Sequence, residues 1–221
     1  MPPKYNPVRG VTFMAKQARF ELFIDVYEKK QQVAQALTNM PTGELVESIL
    51  KEFRRDFDFL GQNPDAYCLM KADGTVLSNN RTLDKQVSNK DRLIFSEAMP
   101  NMPADGQPMA RRIYLREHPT GNSFRLHWQP AVVGRFDNQS NNDLLAVDLG
   151  SHPNGLRVSR RQFEITETGG HFYIESLSPN PTTITDSTGR PIQVDRRQVL
   201  QHGDLITLDR SQITFKVIIS D

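Results

Sequence analysis

The stretch QFEITETGGHFYIESL, residues 162–177, predicts a β-hairpin. Two strand-like segments, Gln162–Thr166 and His171–Leu177, flank Thr168-Gly169-Gly170, and a glycine pair between such segments is typical of a tight hairpin turn. Helical periodicity is absent here, so the stretch predicts β-structure, and it sets the fold class predicted for the region around it.

The same pattern continues outward in both directions. A second hairpin is predicted around Pro119–Asn122, where proline and glycine again separate strand-like segments. The other predicted strands are Arg111–Arg116, Asn122–Trp128, Leu144–Leu149, Pro191–Val194, Leu205–Leu208 and Gln212–Ile219. Many short strands over about 110 residues, with almost no helical pattern, predict an all-β sandwich for residues 111–221.

Residues 18–98 carry a mixed pattern that predicts an α+β domain. The first strand alternates apolar and polar residues from Phe20 to Val26, and Gln31–Leu37 is predicted to pair with it in a hairpin. A helix follows, since six apolar residues recur at helical spacing. They are Leu45, Val46, Ile49, Leu50, Phe53 and Phe57. Short strands are predicted at Tyr67–Lys71 and Arg92–Phe95. The predicted core residues between them are Leu83 and Val87.

The stretch MPNMPADGQPMA, residues 99–110, separates the two patterns. Proline lacks the amide donor and ordered glycine costs entropy, so this stretch is predicted to be a linker that joins neither sheet nor helix. The first 17 residues contain three prolines and are predicted to be an irregular tail. The predicted organisation is therefore a tail (1–17), an α+β domain (18–98), a linker (99–110) and a β-sandwich (111–221).

The composition excludes several classes of protein. The chain has 27 Lys and Arg against 26 Asp and Glu, and this net charge of +1 argues against a generic nucleic-acid binder. A single cysteine, Cys68, excludes an intramolecular disulfide and a Cys-based zinc or iron–sulfur site. No apolar run approaches the ~20 residues that span a bilayer, and the proline-containing start does not resemble a signal peptide. We expect a soluble, cytoplasmic protein without membrane insertion.

No constellation typical of an enzyme assembles in the sequence. The five histidines show no paired metal-ligand spacing, and no Gly-x-Ser-x-Gly, Walker or dinucleotide-binding loop occurs. Cys68 lies in a predicted strand among apolar neighbours, so we expect a buried, unreactive thiol. We therefore expect no enzymatic activity, no catalytic residues, no metal and no cofactor.

The order of elements in residues 18–98, with the closing pattern Thr-Leu…Val…Asp-Arg-Leu-Ile-Phe, resembles the ubiquitin-like β-grasp fold. Conjugated members of that family end in two glycines after the last strand, whereas here Phe95–Ala98 runs into the linker. A role in conjugation is therefore disfavoured. The resemblance implies a docking surface on the sheet for a second partner protein. A spacer domain without a specific partner is the alternative.

Four short motifs occur in order along the second half of the chain. They are Val133-Gly134-Arg135, Val158-Ser159-Arg160-Arg161-Gln162, Ser178-Pro179-Asn180-Pro181-Thr182 and Val199-Leu200-Gln201-His202-Gly203-Asp204-Leu205-Ile206. Together they resemble a forkhead-associated (FHA) domain, whose hallmarks are Gly-Arg, Ser-x-x-His, Asn-Gly-Thr and Leu-x-x-Gly-Asp. The resemblance covers residues 111–221 and implies an eleven-stranded sandwich that binds phosphothreonine peptides through loops at one end.

The resemblance implies a role for four residues. Arg135 is expected to donate its guanidinium to the phosphate, and Ser159 its hydroxyl and its backbone amide. Arg160 stands where a second basic residue contacts the phosphate. Asn180 is expected to hydrogen-bond the peptide backbone. Gly134 is expected to serve close packing of its strand and not binding.

Three positions depart from the family pattern, and two more are candidates for the rim of the site. Gln162 replaces the motif histidine, which supports the serine-bearing loop, and an amide can fill that role by hydrogen bonding. Pro181 replaces the motif glycine and cannot adopt a positive φ angle. Thr185 stands at the position of a later family asparagine. The rim candidates are Arg157 and Thr182.

Two functions remain open from the sequence. In the first, the protein is an adaptor that binds a phosphothreonine protein marked by a Ser/Thr kinase, while the ubiquitin-like domain docks a second protein. The alternative, motivated by Gln162 and Pro181, is a phosphate-independent structural scaffold in a bacterial signalling or secretion assembly. In that case Arg135 is an ordinary surface arginine and Asn180 part of a plain turn. Nucleic-acid binding is disfavoured because residues 111–221 hold 13 basic and 12 acidic residues.

Overall fold

The computed structural model describes residues 18–138 and 144–220 of the chain. The predicted tail, residues 1–17, lies outside the described residues. Contacts divide the chain into two compact units. The first comprises the described residues up to Leu45 together with Leu69–Ser96, and the second comprises Val46–Cys68 with the described residues from Glu97 onward.

Residues 18–98 contain a four-stranded mixed sheet and one helix. The strands are β1 (Arg19–Val26), β2 (Lys29–Leu37), β3 (Tyr67–Lys71) and β4 (Arg92–Glu97), and helix α1 spans Thr42–Phe53. The sheet order is β2-β1-β4-β3, with β1 antiparallel to β2 and parallel to β4. This order of a hairpin, a helix and a central parallel pair is the ubiquitin-like β-grasp arrangement. The predicted α+β fold of this region is confirmed.

Local sequence explains these elements. The alternation in β1 buries Leu22, Ile24 and Val26 on one face, as a period of two requires. The apolar residues of α1 are buried as well; they are Leu45, Val46, Ile49, Leu50 and Phe53. Phe57, predicted to extend that apolar face, lies beyond the end of the helix. The predicted core residues Leu83 and Val87 are buried.

The C-terminal region forms the predicted sandwich. Its eleven strands among the described residues are β5 (Gln107–His118), β6 (Ser123–Gln129), β7 (Ala131–Gly134), β8 (Leu145–Asp148), β9 (Phe163–Thr168), β10 (His171–Ser176), β11 (Thr182–Thr185), β12 (Pro191–Gln193), β13 (Gln198–Leu200), β14 (Leu205–Leu208) and β15 (Ile213–Ser220). One sheet has the order β13-β10-β9-β7-β8 and the other the order β12-β11-β14-β15-β5-β6. Apolar side chains from both sheets share one buried core. The sequence did not predict β7, β11 and β13.

The predicted linker is shorter than its sequence suggests. Strand β5 begins at Gln107, and Pro108 lies opposite Trp128 of β6. The ladder between β5 and β15 covers only Arg112–His118. Position 108 therefore pairs with a strand on one side only, and such edge positions tolerate proline. The prediction that residues 107–110 join no sheet is wrong, and residues 99–106 contain neither helix nor strand.

The second unit includes Val46–Cys68, which the sequence pattern assigned to the N-terminal domain. Within this unit the ring of Phe59 stacks on Tyr114 with centroids 4.9 Å apart. The hydroxyl of Tyr114 donates to the carboxylate of Glu97 at 2.6 Å, and Arg125 pairs with that carboxylate at 3.0 Å. Glu97 is buried, and these two partners satisfy the hydrogen-bonding capacity of its carboxylate. The compact units therefore do not coincide with the predicted boundaries at residues 98 and 110.

His127, on β6, leads to a prediction about acid stability. Burial, with a further contribution from Arg125, lowers the pKa of His127 from 6.5 to about 4. Between these values the unfolded chain binds a proton that the folded protein does not, so stability falls as the pH is lowered from 7 towards 4. We expect His127→Gln to remove about 1 kcal/mol of this pH-dependent loss, after allowance for partial solvent exposure. Urea unfolding at pH 7 and pH 4.5 measures it.

The matched control for this prediction is His171→Gln, which changes an exposed histidine on β10. The control is expected to lose as much stability on acidification as the unaltered protein. An equal loss in His127→Gln and His171→Gln contradicts the assignment of the effect to His127.

Candidate functional site

The end of β7 is held against the loop that precedes β9. A Cβ atom on Gly134 would lie only 2.1 Å from the carbonyl oxygen of Arg160, so only glycine permits this approach. The next amide, that of Arg135, donates to the carbonyl oxygens of Ser159 and Arg160 at 3.0 and 3.2 Å. The Arg135 side chain therefore starts from a fixed position beside the loop. Gly134 has the packing role that the sequence predicts.

The side chain of Gln162 connects two segments at this end of the sandwich. It is only 1% exposed. Its Oε1 accepts a hydrogen bond from the amide of Ser159 at 3.2 Å. Its Nε2 donates to the carbonyl oxygen of Asn180 at 2.8 Å and to the hydroxyl of Thr182 at 3.0 Å. A neutral carboxamide has both an acceptor and a donor end, so one buried side chain can hold both segments without a charge.

Ser159 and Asn180 lie in direct contact. Nδ2 of Asn180 donates to Oγ of Ser159 at 2.7 Å, and this Oγ lies 2.6 Å from Oγ of Ser178. The amide of Asn180 donates to the same Ser178 hydroxyl at 3.0 Å. No residue from Ser178 to Pro181 has a positive φ angle, so the segment makes these contacts although Pro181 replaces the motif glycine.

The two predicted phosphate-binding arginines, Arg135 and Arg160, lie beside the cluster of Ser159, Ser178 and Asn180. Nε of Arg135 donates to the carbonyl oxygen of Val158 at 3.4 Å, which directs its side chain along the serine-bearing loop. Nε of Arg160 lies 3.0 Å from the carboxylate of Asp137, and 56% of the Arg160 side chain is exposed. The structure thus brings all four predicted site residues to one end of the sandwich.

The two rim candidates differ in position. Arg157 is exposed at the end of a short 3-10 turn. Thr182 is fully buried, and its hydroxyl accepts the hydrogen bond from Gln162. The placement of Thr182 at the rim is therefore wrong, because it begins β11 with its side chain directed into the core. Thr185 lies at the opposite end of β11 from Thr182.

Sequence reasoning missed two residues at this end. Ser178 begins the motif Ser178–Thr182, but the contact of its hydroxyl with Ser159 depends on the tertiary structure. Arg210 lies in the turn between β14 and β15, and its NH1 group donates to Oδ1 of Asn180 at 2.7 Å. These two residues are 30 positions apart, and no local pattern pointed to Arg210. A groove of about 410 Å³ lies beside them. Its lining residues are Leu156, Arg157, Val158, Asn180 and Arg210.

Two other titratable residues, Cys68 and Asp204, lie in surroundings that explain them by packing and by a turn. The Cys68 thiol is buried, and burial raises its pKa, with a further contribution from Glu97. The Asp204 carboxylate accepts a hydrogen bond from the amide of Gln201 at 2.8 Å beside Gly203, whose φ is +93°. This is a turn, as the motif predicts. The described residues contain no group of three or more His, Cys, Asp or Glu placed to hold a metal ion.

Among the described helices, none has the length and hydropathy needed to cross a lipid bilayer.

Comparison with known proteins agrees with the sequence motifs. A model of the FHA domain family matches residues 131–209. No curated protein matches the chain. The FHA domain of human APLF, solved in complex with an XRCC1 bisphospho peptide, is 23% identical, with 48% of this chain and 97% of that chain covered and a TM-score of 0.36.

Two further solved structures are similar to parts of the chain. EmbR of Mycobacterium tuberculosis, solved with a low affinity phosphopeptide, is 24% identical over 51% of this chain and 27% of that chain, with a TM-score of 0.39. The EccD5 ubiquitin-like domain from Mycobacterium xenopi is 23% identical over 38% of this chain and 99% of that chain, with a TM-score of 0.31.

The hydrogen bonds of Gln162 lead to a stability prediction. Gln162→Leu introduces an apolar side chain of similar size, which leaves the amide of Ser159 and the carbonyl of Asn180 without their buried partner. We expect the free energy of unfolding to fall by about 2–4 kcal/mol. Urea unfolding followed by tryptophan fluorescence measures the change.

Gln193→Leu is the matched control, since Gln193 is exposed on β12. We expect this variant to change the free energy of unfolding by no more than about 0.5 kcal/mol. If both variants lose the same amount, the buried carboxamide of Gln162 does not have the structural importance assigned to it.

Proposed function

We propose that the FHA domain that this chain contains at residues 131–209 binds a phosphothreonine segment of a partner protein, and that the protein is a non-enzymatic adaptor. One observation carries the proposal. The packing of Gly134 against Arg160 holds Arg135 and Arg160 on adjacent segments, next to the hydroxyl of Ser159. The phosphorylated partner is then a substrate of a Ser/Thr kinase.

The chemistry of this cluster suits a phosphate monoester. A phosphothreonine carries nearly two negative charges and three acceptor oxygens at neutral pH. The guanidinium groups of Arg135 and Arg160 are permanently charged, planar donors, and the Ser159 hydroxyl adds a neutral donor. The donors are mounted on a rigid sandwich, which lowers the entropic cost of binding.

Binding requires the present partners of these donors to change. Arg160 pairs with Asp137, and the phosphate would compete with that carboxylate for the guanidinium. The Ser159 hydroxyl would exchange a serine or asparagine contact for a phosphate oxygen. The Ser159 amide, expected as a second donor, donates to Gln162, so we assign phosphate contact to the hydroxyl alone.

Asn180 is suited to hold the peptide backbone. Its carboxamide lies between the Ser159 hydroxyl and the guanidinium of Arg210. Its backbone is fixed separately through the carbonyl oxygen, which accepts from Gln162. The side chain can therefore exchange its partners for a peptide amide or carbonyl while the loop keeps its place.

The proposal also assigns a second partner protein to the ubiquitin-like sheet. The face of β1 opposite the buried residues carries Phe23, and the register places Val33 of β2 beside it. Val33 is 61% exposed and Ile94 of β4 is 39% exposed. Exposed apolar side chains on neighbouring strands favour a protein surface with an apolar centre as the partner.

The alternative function, a phosphate-independent scaffold in a bacterial assembly, is favoured by a different observation. The polar groups of the site already have partners within the protein, since Ser159 bonds to Gln162 and Asn180 while Arg160 pairs with Asp137. A site of this kind can be purely structural. The same peptide titration separates the two functions.

The phosphothreonine proposal predicts that Arg135→Ala weakens binding of phosphothreonine peptides about 10- to 100-fold, because a charge-assisted hydrogen bond to a dianion is lost. Titration of a phosphothreonine peptide library by fluorescence polarisation measures this. Arg190→Ala, which removes an exposed arginine paired with Asp186, is the control and should bind as the unaltered protein does.

Equal affinity of the unaltered protein for phosphorylated and unphosphorylated peptides would contradict this function. A cellular partner that stays bound after phosphatase treatment, and that also binds the Arg135→Ala variant, would support the scaffold function instead.

The second-partner proposal predicts that Val33→Glu releases a protein that the Arg135→Ala variant still binds. A carboxylate in the apolar centre of an interface is costly to desolvate. Quantitative mass spectrometry of proteins co-purified from the source cells compares the variants. Val199→Glu introduces the same change at a 49% exposed valine of β13 and should retain the partner. If the same proteins co-purify with all variants, the second-partner proposal is contradicted and the ubiquitin-like domain is a spacer without a specific partner.

A further inference from the structure

A second cavity, of about 480 Å³, lies beside β6. Among the described residues, its lining shares no member with the cluster of Ser159, Ser178 and Asn180. Every residue that lines it belongs to the second compact unit. Its volume falls in the range of protein cavities that hold small molecules. Its walls include the rings of four aromatic residues, which are Tyr67, Tyr114, Phe124 and Trp128.

Three polar atoms at this cavity are buried without a hydrogen-bond partner among the described residues. They are Oγ of Ser123, Nε of Arg125 and Nδ1 of His127. The three residues are two positions apart along β6, so they lie on one face of the strand, and all three line the cavity. A buried polar atom without a partner costs free energy, and a bound molecule that supplies the partner recovers it. The three atoms therefore point to a ligand.

The charges at the cavity favour a neutral ligand. Arg125 pairs with the buried carboxylate of Glu97 at 3.0 Å, so these two charges balance each other. Burial lowers the pKa of His127 to about 4, and this imidazole is therefore neutral at pH 7. Asp65 is exposed and also lines the cavity, where it adds a negative charge. The described lining has no excess positive charge with which to attract an anion.

The unpartnered atoms and the rings define the chemistry of this ligand. Nε of Arg125 can only donate, so it requires an acceptor such as a carbonyl oxygen. The hydroxyl of Ser123 and the neutral imidazole of His127 can each pair with a donor or an acceptor. The indole N–H of Trp128 donates to the carbonyl oxygen of Leu144 at 3.3 Å, so its ring adds apolar surface and no free donor. A flat ring that bears a carbonyl group suits this combination.

We propose that the cavity beside β6 binds a neutral, planar heterocycle of nucleobase size, whose carbonyl oxygen accepts a hydrogen bond from Nε of Arg125. The ring packs against the aromatic side chains of the wall. Ser123 and His127 pair with further polar atoms of the ring. Because the site shares no described residue with the phosphate-binding cluster, the inference goes beyond the proposed function and does not depend on it.

Two matched pairs of probes test the proposal on the full chain. Hypoxanthine is purine with one added carbonyl oxygen, and 2-pyridone is pyridine with one. All four are titrated at pH 7 by isothermal titration calorimetry. The fluorescence of Trp128, the one tryptophan of the chain, is a second measurement, since this residue lines the cavity. The measured quantity is the ratio of affinities within each pair.

The protein variants separate the roles of the two donors. Arg125→Lys keeps a positive charge beside Glu97 but removes Nε, whereas Ser123→Ala removes only the hydroxyl. Arg190→Lys makes the same exchange at an exposed arginine of the hairpin after β11 and is the matched control. Urea unfolding establishes that each variant is folded. If Arg125→Lys does not fold, Ser123→Ala decides the outcome.

At least one carbonyl-bearing probe is expected to bind, about tenfold more tightly than its matched partner, because it accepts from a charged donor. Arg125→Lys should reduce this ratio towards one. Ser123→Ala should weaken binding of the preferred probe by roughly two- to tenfold, the effect of one neutral hydrogen bond. Arg190→Lys should bind as the unaltered protein does.

The inference is overturned if neither carbonyl-bearing probe binds the unaltered protein, or if both bind no more tightly than their matched partners. A ratio that survives in Arg125→Lys, or affinity for the preferred probe that is unchanged in Ser123→Ala, overturns it as well. The phosphothreonine proposal stands in each of these cases, because the peptide titrations with Arg135→Ala test a separate set of residues.

Discussion

The buried carboxamide of Gln162 is the interaction on which the proposed binding end of the sandwich depends. It holds the amide of Ser159 with its oxygen and the carbonyl of Asn180 with its nitrogen. Neither segment belongs to a strand, so neither is positioned by sheet hydrogen bonds at these points. A buried polar group must be fully satisfied to be tolerated, and here that requirement sets the spacing of the two loops. A neutral amide achieves this without placing a charge beneath an anion site.

The second constraint is the close approach of backbone at Gly134. Because this residue has no Cβ, the end of β7 lies directly against Arg160, and the amide of Arg135 bonds to the loop carbonyls. The two arginines thus share one rigid platform. The charge of the whole chain is close to zero, so the field at this end comes from a few guanidinium groups and their local partners. Such an arrangement favours a short anionic segment over an extended polyanion.

Much of the fold could be predicted from local pattern. Alternation located β1, turn residues located the two hairpins, and helical spacing located α1. The strands that were not predicted, β7, β11 and β13, have three or four residues each, as β8, β12 and β14 do, so a local pattern of this length identifies some strands and misses others. The predicted linker extends too far towards the C-terminus, because Pro108 occupies a position of β5 that pairs with a neighbouring strand on one side only. The segment Val46–Cys68 joined the second unit through contacts such as Phe59 with Tyr114, which are distant in sequence.

The sequence by itself determined which residue types are available for an anion site and in what order they occur: Arg135, then Ser159 and Arg160, then Asn180. Only the tertiary structure decided their partners. Thr182 lies in the core, and the Ser159 amide donates to Gln162. Arg160 pairs with Asp137, and Arg210 donates to Asn180. The physical reason is that strand and turn patterns report interactions over a few residues. Hydrogen bonds between loops depend on how strands far apart in the chain stack in the sandwich, and no local period encodes that.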